Sequence, residues 1–255
     1  MNNQNPIGLF DSGIGGTSIW REIHKLMPNE NTIYLADSKN APYGIKTKEE
    51  IIELSIKNTE FLLDKNCKMI VVACNTATTN AIKVLRNKYD VPFVGIEPAI
   101  KPAALNSTTK TIGILATQGT INSELFHQAV LNFPEVKIIE QVGHGLVQLI
   151  EEGAIQSPEM KTLLTTYLQP MIAKNIDFLV LGCSHYPYLI PIINKILPPH
   201  IHIIDSGEAV ARQTQKLMAT TGINNEIGKQ IFYSNSSVEV LSNFVSGFDV
   251  EYLDF

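Results

Sequence analysis

The chain is poor in cysteine, in arginine and in long apolar runs, and each shortage narrows the reading. Three cysteines, Cys67, Cys74 and Cys183, are an odd number and too few for a disulfide scaffold. Residues 1–6 have no basic and then apolar stretch, so no signal peptide is expected. The thiols are therefore expected to stay free in a reducing cytoplasm. Arginine occurs only at Arg21, Arg86 and Arg212, and the net charge is −5. That balance offers no basic footprint, so direct nucleic-acid binding is not expected. No apolar run approaches the length of a membrane span, and no association with a membrane is expected. What is present suits a folded globular protein: 44% hydrophobic and 18% charged residues, in a chain long enough for one large or two small domains.

Two of the cysteines sit in matched settings. Met69-Ile-Val-Val-Ala-Cys-Asn-Thr76 reads as a fully buried strand that delivers Cys74 to its carboxyl end, with small polar residues at the turn into a helix from about Ala77. Phe178-Leu-Val-Leu-Gly-Cys-Ser-His185 repeats the design around Cys183. The lead-ins match as well: Lys65-Asn66 stands as far before Cys74 as Lys174-Asn175 stands before Cys183. Cys67 has no such setting and reads as a plain buried apolar residue.

The rest of the chain follows the same duplication. Strands are predicted at 6–10, 32–36, 69–73 and 91–96, and again at 111–117, 136–140, 178–182 and 201–205, with helices between them. After these come a helix at about 208–218, a strand near 230–233 and a closing helical pattern. Alternating strands and helices predict α/β architecture: two similar domains with mainly parallel sheets, an internal duplication, and an active site in the cleft between them. The expected division is 1–97 plus 208–255 against 98–207, joined by a short hinge near 98–110. Polar clusters fall at strand ends, where such sheets bind ligands: Asp11-Ser12, Asp37-Ser38, Asn75-Thr76, Thr117 with Thr120, and Ser184-His185. Asp11-Ser-Gly-Ile-Gly-Gly16 resembles an anion cradle but lacks dinucleotide-binding spacing.

Four chemistries could use two opposed thiols. A redox pair would stand close in sequence. A metal site would want more ligands than Cys183 and His185 supply, so no metal is expected. A Cys–His hydrolase would leave the second thiol idle. Acid/base work on two faces of one carbon uses both, and suits a reaction whose substrate and product are mirror images. The helix starts after both cysteines are expected to favour thiolate.

Gly8–Gly16, Ala41–Gly44, Val72–Ala77, Gly95–Pro98 and Leu181–Pro187 together resemble the glutamate racemases of the aspartate/glutamate racemase family, in order from residue 7 to Gly207. The resemblance implies cofactor-independent interconversion of L- and D-glutamate, supplying D-glutamate for peptidoglycan, by a cytoplasmic enzyme expected to be a homodimer. It makes Cys74 and Cys183 the acid/base residues, with Asp11 assisting Cys74 and His185 assisting Cys183. Asp11, Ser12, Tyr43, Gly44, Asn75, Thr76, Ser184 and His185 match substrate contacts, and Thr117, Thr120 and Glu151 are further expected members. It also implies that the segment after Gly207 packs back onto the first domain. Ser184 departs from the family's usual threonine; the hydroxyl survives and a methyl is lost. Plainer readings stand beside these: Asp11 as a helix cap, Glu151 as an acidic residue early in a helix, Gly143–Gly145 as a turn, and Trp20, Tyr34 and His144 as packing or surface residues. The alternatives in function are a racemase of aspartate or another amino acid, or a non-catalytic relative that binds DNA gyrase.

Overall fold

The computed structural model describes residues 4–218 and 228–255. Its strands are β1 (Ile7–Asp11), β2 (Thr32–Ala36), β3 (Met69–Val72), β4 (Phe93–Gly95), β5 (Thr111–Ala116), β6 (Lys137–Val142), β7 (Phe178–Gly182), β8 (His202–Ile204), β9 (Gln230–Ser234) and β10 (Val250–Tyr252). The helices are α1 (Thr17–Leu26), α2 (Lys48–Asp64), α3 (Asn75–Lys88), α4 (Ile100–Asn106), α5 (Gln118–Ile121), α6 (Glu124–Leu131), α7 (Leu146–Glu151), α8 (Pro158–Ala173), α9 (Ile190–Ile193), α10 (Gly207–Met218) and α11 (Val238–Phe244).

The strands form two sheets, in the orders β10-β9-β2-β1-β3-β4 and β6-β5-β7-β8, and every pairing is parallel. Parallel strands need both faces covered, and the central ones show it. Met69 and Val71 of β3 enter one core cluster, while Ile70 and Val72 enter another. Leu179 and Leu181 of β7 likewise face away from Val180. One cluster runs through both units, from Ile14, Ile19 and Trp20 to Leu146, Ile150 and Tyr186.

The duplication extends to backbone geometry. Asn66 and Asn175 both adopt a left-handed conformation, at φ 59° and 58°. Each follows the lysine that caps a helix, and its N–H returns to the last turn, at Leu63 or Ile172. Asparagine tolerates this conformation, so the two Lys-Asn pairs are helix stops that aim β3 and β7. Cys67 and Ile176 then occupy equivalent places: each lies where a side chain on the central glycine, Gly8 or Gly113, would collide with it.

The chain crosses to the second sheet after β4. There α4 packs Ile100, Ala103 and Ala104 against Ile112 and Ile114 of β5. It returns after β8, and α10 lies along α1, while β9 pairs with β2 in the first sheet. The Ser206 hydroxyl donates to the Glu97 carbonyl and ties the two crossings together. On these pairings we propose the division into 1–97 plus 208–255 and 98–207, of which 1–3 and 219–227 lie outside the described residues.

Several elements differ from the sequence expectations. The hinge near 98–110 holds the helix α4. The closing segment adds a strand, β10, whose three residues Val-Glu-Tyr are too few and too mixed to signal one. Beyond the end of β5, Thr120 lies in a further short helix, α5, and Ser123 caps α6. α3 starts at Asn75 because Cys74 itself is the cap, its Sγ accepting the Ala77 N–H at 3.5 Å.

Candidate active site

The carboxyl ends of β1, β3, β5 and β7 meet at the seam between the two sheets. Cys74 leaves β3 as the cap of α3, a helix of 14 residues. Its Sγ donates toward the Ser12 hydroxyl at 3.7 Å. Burial, and then the negative charge of Asp11, push the Cys74 thiol well above its ordinary range. The expected preference for thiolate is therefore overturned here: the N–H of Ala77 pulls the other way, and desolvation outweighs it.

The Cys183 side is built differently. No long helix follows β7, which leads to a 3-10 turn at Tyr186–Leu189 and then the four-residue α9, so the helix start expected at this thiol is missing. In its place stands a side-chain relay. Cys183 Sγ lies 3.8 Å from His185 Nδ1, and His185 Nε2 is 2.6 Å from Glu151 Oε1. Burial lowers the basicity of His185, but its contacts with Cys183 and Glu151, and the charge of Asp11, outweigh it and hold the imidazole well above its ordinary value. A protonated imidazole stabilises negative charge on the neighbouring sulfur.

Glu151 is the last residue of α7, not an early one, so the helix-dipole reading fails. Its carboxylate leaves the second unit for the first. It accepts the Ile14 N–H at 2.7 Å and the Ser38 hydroxyl at 3.0 Å. The glycine-rich turn of residues 11–16 is thus an anion cradle whose anion is the protein's own Glu151. Its glycines make the room: a Cβ on Gly13 would stand 1.8 Å from Glu151 Oε1, and one on Gly15 would stand 2.1 Å from His185 Nδ1.

Asp11 does not cap α1, whose capping position is Gly16. Its carboxylate accepts the Gly13 N–H at 3.1 Å and, across the seam, the Ser184 hydroxyl at 2.9 Å. Burial raises its pKa, and the charge of His185 pulls it back. Asp11 touches Cys74 through charge, with no hydrogen bond between them among the described residues.

Elsewhere the seam is closed by small groups. Thr76 and Thr117 share a hydrogen bond of 2.8 Å, Thr120 joins them, and Asn80 donates to the Gly119 carbonyl at 3.0 Å. A Cβ on Gly44 would lie 2.8 Å from Thr117 Cβ. These contacts enclose a cavity of about 10 Å³, room for about one water. It is lined by both cysteines and by Ser12, Tyr43, Gly44, Asn75, Thr76, Thr117, Ser184 and His185. Asp11, Thr120 and Glu151 stand behind that lining and hold it. Pro42 and Val147 also line it and carried no chemical signal in the sequence.

Two lining residues behave in ways their type did not foretell. The Tyr43 hydroxyl points away from chemistry: it donates to Asp37, in a short bond, and accepts from Asn58 Nδ2 at 3.1 Å. Asn75 is the opposite case. It is 2% exposed, and neither its Nδ2 nor its Oδ1 has a partner. An unmet buried amide costs about 1–3 kcal/mol, which a ligand carrying both a donor and an acceptor would remove.

A match to the Asp/Glu/hydantoin racemase family model covers residues 7–214 of this arrangement. The chain belongs to that family. Glutamate racemases at 43–46% identity over most of the chain make it, within that family, an amino-acid racemase, an isomerase. Among family relatives, the glutamate racemase of Ralstonia pickettii is 43% identical over 246 residues, 95% of this chain and 87% of the relative. Among solved family structures, a Bacillus anthracis glutamate racemase superposes with a TM-score of 0.89 at 28% identity, over 100% of this chain and 99% of the other. The Escherichia coli glutamate racemase, solved in complex with L-glutamate and the activator UDP-MurNAc-Ala, gives 0.87 at 33% identity, covering 98% of each chain.

Proposed function

We propose that this enzyme interconverts L- and D-glutamate without a cofactor, Cys74 and Cys183 acting as acid and base on opposite faces of the α-carbon. The observation that carries the reading is the cavity itself: two thiols at matched strand ends line it from two units, beside an asparagine whose amide is unpartnered. Glutamate racemases at 41–46% identity over most of the chain support the substrate.

The α-proton of an amino acid is a very weak acid, so its removal needs a placed base and stabilisation of the carbanion. The charges around the two sulfurs divide that work. His185, 3.8 Å from the Cys183 sulfur and paired with Glu151, is placed to assist Cys183 as it takes a proton. Asp11 opposes ionisation of Cys74, which keeps the proton that will be given. Transfer leaves Cys183 as thiol and Cys74 as thiolate, the starting state for the reverse direction. Asn75, Thr76, Thr117 and Ser184 offer neutral donors and acceptors to the substrate's ammonium and carboxylate groups. With the Tyr43 hydroxyl engaged, the segment Tyr43-Gly44 meets substrate through its backbone. Because the cavity admits about one water, the seam between the units opens to admit glutamate and closes for the chemistry.

The same reading places the enzyme in the cytoplasm as a homodimer that supplies D-glutamate to peptidoglycan; no helix among the described residues is long and apolar enough to cross a membrane. The test is an optical-rotation assay of the purified enzyme on L-glutamate and L-aspartate, with chelator and no added pyridoxal phosphate. Glutamate is expected to racemise to equal parts and aspartate far more slowly. Activity lost to the chelator and restored by metal would contradict the mechanism. A folded protein inert on glutamate would favour the aspartate or gyrase-binding alternative.

A further inference from the structure

One buried carboxylate near the cavity has no place in the mechanism above. Asp37 opens the turn after β2, as the cap of the 3-10 segment Ser38–Asn40, and is 1% exposed. Among the described residues no cation hydrogen-bonds to it. Its Oδ1 instead accepts from Asn40 Nδ2 at 2.8 Å and from Asn235 Nδ2 at 2.5 Å. Its Oδ2 accepts the Tyr43 hydroxyl and has Asn58 Nδ2 at 3.5 Å. Burying a carboxylate costs free energy unless it is well hydrogen-bonded. Four neutral donors from four separate segments meet that need: the 3-10 turn at Ser38–Asn40, the turn at Tyr43–Ile45, α2, and the chain just after β9.

Those donors surround one loop. Residues 38–45 run from the first 3-10 turn to Gly44, which lines the cavity and touches Thr117. Asn235 grips the loop a second time, its Oδ1 accepting the Lys39 N–H at 2.9 Å. At the near end of the loop, Ser38 donates to Glu151, the residue that holds His185. The loop therefore touches both half-sites, and Asp37 is the point to which it is tied.

We infer that Asp37 is a positioning residue: through the Tyr43 hydroxyl and Asn235 it fixes the loop 38–45, and with it the wall formed by Tyr43 and Gly44 against which substrate binds. The inference rests on the glutamate reading of the site. Burial, and then the charge of Asp37, hold the Tyr43 phenol well above its usual pKa, so it stays a donor to Asp37. Asparagine at position 37 keeps the shape and replaces one acceptor with a donor, which then faces the donors of Tyr43 or Asn235.

The test compares D37N, Y43F and the double variant, with N235A as a milder cut of the same tie. For D37N the KM for both glutamate enantiomers should rise about tenfold or more while kcat changes less than about threefold. The double variant should be no worse than the poorer single one, because Asp37 acts through the Tyr43 hydroxyl. N235A should move KM the same way by a smaller factor. Hydrogen exchange, read without reference to activity, should speed up in residues 38–45 of D37N and stay unchanged in α3. An unchanged KM, losses that multiply in the double variant, or unaltered exchange in 38–45 would each overturn the inference. If wild type fails to racemise glutamate, the functional reading falls, and the exchange result still decides whether Asp37 positions the loop. Should D37N not fold, the KM and exchange of N235A decide the matter.

Discussion

The two thiols stand in the same frame and in opposite electrostatic settings. Both follow a buried parallel strand, and both strands are aimed by a Lys-Asn helix stop with matching left-handed φ. Beyond the sulfur the copies part. Cys74 caps a long helix, bonds a serine hydroxyl and has its pKa raised by burial and then by the charge of Asp11. Cys183 precedes a short 3-10 turn and borders an imidazole whose pKa its contacts with Cys183 and Glu151 raise. Duplication thus supplies two sulfurs in equivalent places, and divergence gives them unlike neighbours; in the mechanism proposed above, one gives a proton while the other takes one.

The largest expected effects remove the thiols. Cys74→Ala and Cys183→Ala should each lower racemisation about 10³-fold or more in both directions, since the base of one direction is the acid of the other. Each variant should stay folded, at a stability cost of about 1 kcal/mol. Appreciable turnover by either would reduce the comparison to one working half.

Next come the groups that make the halves unlike. His185→Asn should slow the half-reaction begun at Cys183 about 10²-fold, and Asp11→Asn should fall more heavily on the half begun at Cys74. Initial α-proton exchange, followed separately for each enantiomer, reads the two. Equal losses in both would erase the assigned asymmetry.

A smaller effect tests the cradle. Gly15→Ala places a Cβ where the His185 ring lies. The ring or the whole seam must shift, and a displacement of about 1 Å at a reacting group can cost about 10²-fold. A loss of about 10-fold to 100-fold is expected, carried by kcat. Unchanged kcat would show that His185 need not be held there.

The smallest concerns stability alone. Cys67 fills the place that Ile176 fills in the second unit, and burial pushes its thiol to about 12. In the unfolded chain it ionises near 8.5. Above that pH the unfolded state gives up a proton that the folded state keeps, so folding stability falls by about 1.4 kcal/mol per pH unit from this group, up to about pH 12. Cys67→Ala should flatten the alkaline decline in denaturant midpoint and leave activity intact. An identical pH slope would show that the thiol ionises in place.

The strand frame was legible in the sequence because apolar runs ending in small polar residues have one reading in α/β proteins. Both cysteines and the turn at 11–16 could be placed that way, while the return of the last segment to the first sheet was implied by the family resemblance alone. The lateral ties could not. The resemblance put Glu151 at the site, but nothing local separates that reading from a helix-dipole one or reveals that its carboxylate reaches Ile14 and His185 across the seam. Asp37 stood in view at the end of β2, but its partners include Asn58 and Asn235, which only folding brings near. A signal for Glu151 existed in Gly13 and Gly15, read as freedom for an anion to approach. The identity of that anion was a tertiary fact. The preference of Cys74 for thiol was also hidden, since a helix start argues for thiolate and burial, invisible in one dimension, decides otherwise.

The most direct test of two thiols on opposite faces is the fate of the α-proton in deuterated water. L-glutamate is given to the wild-type enzyme, and both enantiomers are recovered at low conversion. The account requires deuterium at the α-carbon of the newly formed D-glutamate and hydrogen retained in the remaining L-glutamate, because each face has its own sulfur and the donor has exchanged with solvent. Deuterium appearing equally in both enantiomers from the start would mean that one base serves both faces, and would contradict it.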